Sequence, residues 1–333
     1  MQLIQQQRQE ADIVCTTVMP TRPVPDMIDD VRESLLARPR RLSPKYFYDE
    51  RGSALFDRIC TTPEYYPTRI ENRLLKKCAA DVIDKTRPSQ ILELGSGYSV
   101  KTRRLFDACE ANLHVCEYAP FDVCEEVLLD SSSKLSEEYE WLNLRPLLGD
   151  YHAGLGNLPD IPGRRLFVFL GSTIGNFEKQ EAIDFISEIN RVMRHGDFLL
   201  LGVDRVKESK VLNAAYNDDQ GITAEFNLNV LRVLNRELDA NFRLDNFSHS
   251  ARFNTDESRI EMRLVSDARQ QVYIHDLQET IEFSEGEDIL TEISQKYTFN
   301  DIEQLLCRAG LGINEHFEDE QAYFSLVLAG KTD

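Results

Sequence analysis

Residues 90–102, QILELGSGYSVKT, constrain this chain more than any other stretch. Ile91, Leu92 and Leu94 read as a buried strand, Gly95 and Gly97 break it, and residues 101–109 then take up helical spacing. A strand, a glycine turn and a helix start in that order form the first crossover of an open α/β sheet. There the backbone can approach a ligand closely and helix amides point at it. A dinucleotide fingerprint wants a third small residue three positions after Gly97. The chain supplies Val100, with Lys101 at the helix start, which argues against a nicotinamide dehydrogenase. The bland reading of the same turn is a connection that binds nothing.

The charge balance narrows the partners. With 57 acidic against 38 basic residues the net charge is −19, which repels phosphate backbones and anionic lipid, so neither nucleic acid nor membrane is expected as a partner. The basic runs at 38–41 and 101–104 are short and read as solvated faces or helix ends, with Lys101 the exception. Seven cysteines without a C-x-x-C pair suggest reduced thiols and a cytoplasmic setting. Six dispersed histidines suggest no metal site. No apolar run is long enough to span a bilayer, and the N-terminus lacks the pattern of a leader.

Along the chain, residues 1–25 read as a partly ordered arm. A helix follows from Met27, then a segment rich in aromatics that includes Tyr48, Tyr65 and Tyr66. Phe47 and Phe56 are expected in packing, whereas the tyrosine hydroxyls need partners and can line a polar cavity. Thr68 is expected to cap a helix over 69–84. Residues 112–117 read as a second strand, and spacing nominates Glu117 at its end for ribose hydroxyls, with Asp122 as the competing candidate. A helix over 121–135 and an extended 142–148 lead to Gly149, Asp150 and Tyr151. The apolar run 165–170 ends in GSTIGNF, where small residues admit a substrate and Asn176 offers an amide with donors and an acceptor. Helix 177–193 and strand 198–203 complete a β and α alternation that predicts a doubly wound parallel sheet.

The alternation then stops. Residues 206–238 read as helical and 246–283 as short strands, a block too long for a connection and better explained as an inserted α+β domain. Asn300 with Glu303 suggests a cap for the last helix, closed by Gly310, and AYFSLVLAG a last strand. Gly330, Lys331 and Thr332 imitate the end of a Walker motif, but no helix follows them.

The run E-L-G-S-G resembles the first motif of S-adenosylmethionine-dependent methyltransferases. Together with KYFYDERGSALFDRI, PEYYPTR, PFDV, FLGSTIGN, LLLGVD, AYNDDQGITAEFNLNVL, RIEMRL and LTEISQK, in that order, the chain resembles the histidine-specific α-N-methyltransferases of ergothioneine biosynthesis. The resemblance implies a Rossmann-like class I methyltransferase sheet over 70–205 plus 296–333 and a substrate domain over 26–69 plus 206–295. It implies S-adenosyl-L-methionine as cofactor, held by Gly95, Gly97, Lys101, Asp122, Asp150 and Tyr151, and so favours Asp122 over Glu117. It implies free L-histidine as substrate, trimethylated on its α-amino group to hercynine. Asn176 and Tyr216 would hold the carboxylate; Tyr65, Glu292 and Ser294 would read the imidazole. Met262 would wall the pocket and Tyr48 would lie near the amine, so that Tyr48 and Asn176 are the candidate catalytic groups. A monomer is expected.

The residue chemistry agrees. Glu292 and Ser294, two apart on an extended segment, face one side and can accept from and donate to a ring with two nitrogens. Without their flanking motif they would read as an ordinary strand pair, and Tyr216 as a core tyrosine. Methyl transfer needs orientation and a neutral amine, not a nucleophile triad. Two readings compete: a related enzyme acting on another free amino acid or an aromatic amino-acid derivative, and a non-catalytic protein that only binds S-adenosylmethionine.

Overall fold

The computed structural model describes residues 13–332, so the first half of the expected arm lies outside the described residues. Gln90–Leu94 and Arg165–Phe169 are buried at every position, as apolar runs covered on both faces should be. They pair in parallel with each other, the first also with Glu117–Asp122 and the second with Phe198–Asp204. Beyond Phe198–Asp204 the sheet continues with the antiparallel strand Phe324–Lys331 and then Leu311–Glu318. At the other side come Leu147–Leu148 and Thr16–Thr17, with Asn143–Leu144 also pairing Glu117–Asp122. The result is the doubly wound, Rossmann-like sheet expected of a methyltransferase, with helices on both faces.

The inserted block supplies Asp288–Gln295, Arg259–Ser266 and Phe247–Asn254 of a second, four-stranded sheet whose edge strand Arg40–Arg41 comes from the N-terminal segment, with a separate hairpin of Gln270–Ile274 and Glu279–Phe283. Helix Ile222–Glu237 packs on it, together with helix Glu50–Thr61 and the turn Pro44–Phe47. These pieces do not have a core to themselves. Ile91, Val168 and Leu200 from one face of the large sheet belong to the same buried cluster as Phe226, Ile260 and Phe283. The other face of the large sheet has its own cluster around Leu92, Phe167, Ile186 and Leu201.

Several expectations are corrected. The second strand is Glu117–Asp122, not 112–117. Leu113 sits at φ 50° in the turn after the preceding helix, and Leu113 and Val115 are 93% and 70% exposed. Pro120 within the strand removes a backbone donor and hides it from propensity. The shift separates the two acids: Glu117 begins the strand, where Gln90 donates to it, and Asp122 ends it beside the glycine turn. The helix predicted over 69–84 is Pro67–Thr86 with Pro67 in its first position, and Thr68 donates to Cys60 Sγ at 3.3 Å instead of capping. The last helix is capped by Thr298 with Asp301, not by Asn300 with Glu303. Strand Leu311–Glu318 was not anticipated because it is partly exposed along most of its length and rich in polar residues.

The arm, where described, is built into the fold. Thr16–Thr17 extends the sheet, Thr21 Oγ1 donates to the Ala153 carbonyl at 3.2 Å, and Arg22 Nε donates to the His152 carbonyl at 2.6 Å. The arm thereby braces the short turn Tyr151–Ala153.

Candidate active site

Gly95 and Gly97 both occupy the left-handed region, at φ 67° and 48°, which admits glycine without cost. A β-carbon on Gly97 would meet nothing within 4 Å, so the turn opens onto free space, while one on Gly95 would lie 3.6 Å from the Tyr151 ring. The Gly97 amide donates to Asp122 Oδ2 at 2.9 Å, and the Cys124 amide to Oδ1 at 3.1 Å. Burial raises the Asp122 carboxyl above its ordinary range against these backbone bonds. Asp150 accepts from the His152 amide at 2.7 Å, which fixes the turn that carries Tyr151. The Tyr151 ring rests among Phe169, Phe177 and Phe185 at centroid distances of 5.8, 6.3 and 5.4 Å. An open glycine turn, an acid at the end of the neighbouring strand and an aromatic wall are the donor set and shape that fit S-adenosylmethionine.

Lys101 stands at this turn too, but with a partner that sequence reasoning missed. Its ammonium pairs with Glu71, a fully buried residue of helix Pro67–Thr86, which also accepts the Gly171 amide at 2.8 and 3.0 Å. A β-carbon on Gly202 would collide with the same carboxylate. Glu71 therefore joins the turns that follow Gln90–Leu94 and Arg165–Phe169. Its signal in the sequence was a lone acid in a helical run, indistinguishable from a solvated one.

The second half of the site is carried by Asp288–Gln295. Met262 is the cross-strand partner of Glu292, and Ile260 of Ser294, so all four side chains share one face of the small sheet. Tyr65 and Tyr216 meet edge-to-face at 6.1 Å, and Tyr48 packs on Phe226 and Phe56 at 5.7 and 5.9 Å. Phe47, 1% exposed, packs on Phe226 as expected. Glu292 makes no hydrogen bond or ion pair with any described residue. Burial, only partly offset by the charge of Lys296, pushes its carboxyl up to about 7. Tyr48, open over 37% of its surface yet lodged among these groups, has its phenol raised well above the ordinary range by burial and then by the nearby Glu292 charge. Tyr65, 8% exposed, is likewise raised well above the ordinary range, by burial and then by the neighbouring Tyr216.

The two halves touch at the turn Thr173–Asn176. A β-carbon on Gly175 would fall 2.8 Å from the Gln295 carbonyl oxygen and 3.4 Å from Ser294 Oγ. Glycine is required by this approach, which brings Asn176 alongside the strand that carries Glu292 and Ser294. The Asn176 side chain makes no hydrogen bond to a described residue. The structure thus brings Tyr48, Tyr65, Tyr216, Glu292 and Ser294 together, with Met262 on the same sheet face and Asn176 on the adjoining turn. Tyr66, also nominated for the cavity, donates instead to the buried Asp204 at 2.8 and 2.9 Å. A cavity of about 360 Å³ lined by Arg165, Arg191, Arg194 and Asp197 lies at the opposite ends of the strands and contains none of these residues. Among the described residues no cluster of potential ligands could hold a metal ion, and no helix is long and apolar enough to cross a membrane.

The chain is similar to several known proteins. The histidine N-alpha-methyltransferase of Mycobacterium tuberculosis is 45% identical over 302 residues, covering 91% of this chain and 94% of that protein. The enzyme of the same name from Mycolicibacterium smegmatis is 43% identical over 300 residues, covering 90% and 93%. Ergothioneine biosynthesis protein 1 of Neurospora crassa is 35% identical over 202 residues, 59% of this chain and 23% of that one. A family model described as a histidine-specific, SAM-dependent methyltransferase matches residues 27–331, and the chain belongs to that family.

Proposed function

We propose that this protein transfers methyl groups from S-adenosylmethionine to the α-amino group of free L-histidine, giving the trimethylated product used in ergothioneine biosynthesis. The carrying observation is Glu292: an unpartnered carboxylate in a low-dielectric pocket, with Ser294 on the same strand face and Met262 across from it. A half-buried acceptor beside a buried hydroxyl suits a ring with one N–H and one bare nitrogen, and such a site rejects side chains that leave its polar groups unpaired.

When bound, S-adenosylmethionine supplies an electrophilic methyl group on its sulfonium. Gly95 and Gly97 leave room for its amino-acid part, Asp122 accepts from its ribose hydroxyls, and Asp150 with Tyr151 borders the adenine. Lys101 lies at the rim, its charge already balanced by Glu71. The large-sheet residues and those of 26–69 plus 206–295 would act as two lobes with the reaction between them. Asn176, with its amide free, holds the substrate carboxylate and sets the amine in line with the methyl group, so that most of the acceleration comes from orientation; Tyr216, whose proton goes to Ser294 Oγ, backs the pocket instead of binding the carboxylate as the resemblance implied. The raised phenol of Tyr48 stays protonated at neutral pH; it serves the amine as a hydrogen-bond partner and not as a base. As methyl groups accumulate, the cationic product gains from the faces of Tyr48 and Tyr65 by at most about 2 kcal/mol. Every group invoked comes from one chain, so a monomer suffices, and the seven free cysteines suit the cytoplasm.

The test is mass spectrometry of L-histidine incubated with S-adenosylmethionine and the purified protein. Three successive methyl increments on the α-nitrogen support the assignment. Turnover of another amino acid with none of histidine would replace the substrate, and cofactor binding without any methylation would remove the enzymatic reading.

A further inference from the structure

Beneath the proposed substrate pocket lies a buried ionic group that the reaction itself does not require. Lys296, 1% exposed, places Nζ 2.8 Å from Asp204 Oδ2, 2.8 Å from Ser294 Oγ and 3.1 Å from the Tyr216 hydroxyl. An ammonium has three hydrogens and no acceptor, so all three are used. Asp204, fully buried, is also bound by Lys207, by both contacts of Tyr66 and through its backbone amide by Ser172 Oγ at 2.9 Å. Burial alone would neutralise Asp204, but the charges of Lys296 and Lys207 override it and hold its carboxyl below the ordinary range. Lys296 is thus pinned from behind as a cation.

The consequence falls on the two hydroxyls in front. Tyr216 donates to Ser294 Oγ at 2.9 Å, and Lys296 donates to both oxygens. Ser294 then accepts twice, and its own proton cannot return to Lys296, which has no lone pair, or to Tyr216, whose proton occupies that line. That proton is left for the pocket. Glu292, two residues away on the same face, is left as an acceptor.

We propose that Lys296, anchored by Asp204, is a positioning residue that fixes Ser294 as a donor toward the ligand, so that the pocket selects a neutral imidazole with its bare nitrogen at Ser294 and its N–H at Glu292. The proposal rests on histidine being the substrate.

Two measurements test it. The first uses the unaltered protein: nitrogen-15 NMR of ring-labelled L-histidine bound together with S-adenosylhomocysteine. One protonated and one bare ring nitrogen are expected at neutral pH, and two protonated nitrogens overturn the proposal. The second compares kcat/KM for L-histidine with that for 3-(2-thienyl)-L-alanine, whose ring has no acceptor nitrogen. Lys296→Met should reduce the preference for histidine about tenfold, chiefly through the histidine KM, with the KM for S-adenosylmethionine unchanged. In a Ser294→Ala background the same substitution should cost little further preference, because its effect passes through that hydroxyl. If Lys296→Met does not fold, the double variant Asp204→Asn with Lys296→Met is read by the same criterion. Equal losses for both substrates, or additive effects with Ser294→Ala, would show only a structural role and overturn the proposal. Failure of the wild-type protein to methylate histidine overturns the substrate reading and this inference with it, an outcome separable from the others because it appears before any substitution.

Discussion

Gly175 presses against Ser294: a β-carbon at position 175 would stand 3.4 Å from Ser294 Oγ and 2.8 Å from the carbonyl oxygen of Gln295. This contact couples the turn that presents Asn176 to the strand that presents Glu292 and Ser294. In Gly175→Ala one of the two must retreat. A displacement near 1 Å in a positioning site costs about 100-fold in rate, and kcat/KM for histidine should fall on that order. Affinity for S-adenosylmethionine, measured by calorimetry, should stay within a factor of about two, since the glycine turn at Gly95 lies elsewhere. Unimpaired turnover would mean that the two halves of the site are not rigidly coupled.

Glu292 makes an opposite prediction for stability and for activity. Its carboxyl is pushed up to about 7 by burial, so the folded protein disfavours the carboxylate relative to solvent. The penalty for holding the carboxylate is absent below about pH 4.5, grows as pH rises through the interval to 7, and is complete above it. Glu292→Gln should therefore be the more stable protein at pH 8, by at most about 3 kcal/mol, and no more stable than wild type at pH 4.5. It should also lose most histidine turnover, because an amide presents a donor as readily as an acceptor. Thermal melts at the two pH values check the sign, and a substitution that lowers the melting temperature at pH 8 contradicts the reading of an uncompensated charge.

The parts of this molecule that were legible in the sequence are those whose cause is local. Buried parallel strands such as Gln90–Leu94 show as apolar runs, and the glycine turn shows because few other residues can adopt it. The spacing of Glu292 and Ser294 shows a shared face whenever the segment is extended. The strand Glu117–Asp122 was misplaced because Pro120 breaks local propensity and is tolerated only by its tertiary setting. Glu71, Asp204 and Lys296 were illegible for a different reason. Each is a charged residue that sequence alone assigns to solvent, and each is buried only because a partner distant in sequence neutralises it. The motif containing Lys296 was visible, but not that its ammonium reaches the very hydroxyls assigned to the substrate.

The corrected strand makes Asp122 and Glu117 separable by experiment. Asp122 ends its strand and touches the glycine turn, whereas Glu117 lies at the other end and is bound by Gln90. Asp122→Asn exchanges one acceptor for a donor and loses the charge that strengthens bonds to ribose hydroxyls, worth about 1.5 to 3 kcal/mol. Cofactor affinity should weaken by roughly 10- to 100-fold. Glu117→Gln should leave it unchanged. Equal losses in the two variants would return the ribose assignment to open competition.

Glu71 offers the sharpest test of how the cofactor turn is held. Its carboxylate balances Lys101 and accepts the Gly171 amide while fully buried, so the pair spans the turns after two parallel strands. Removing one member of a buried pair costs about 3 to 5 kcal/mol, mostly because the other charge is stranded. In Glu71→Gln the amide oxygen can still accept from Gly171, but Lys101 is left unbalanced, so the melting temperature should drop and cofactor affinity with it. Replacing both residues, Glu71→Gln with Lys101→Met, removes the stranded charge and should recover much of the stability. Cofactor affinity in the double variant then isolates what Lys101 itself contributes. Recovery of stability without recovery of binding assigns Lys101 a direct electrostatic part at the cofactor, and recovery of both assigns the pair to the architecture of the turn.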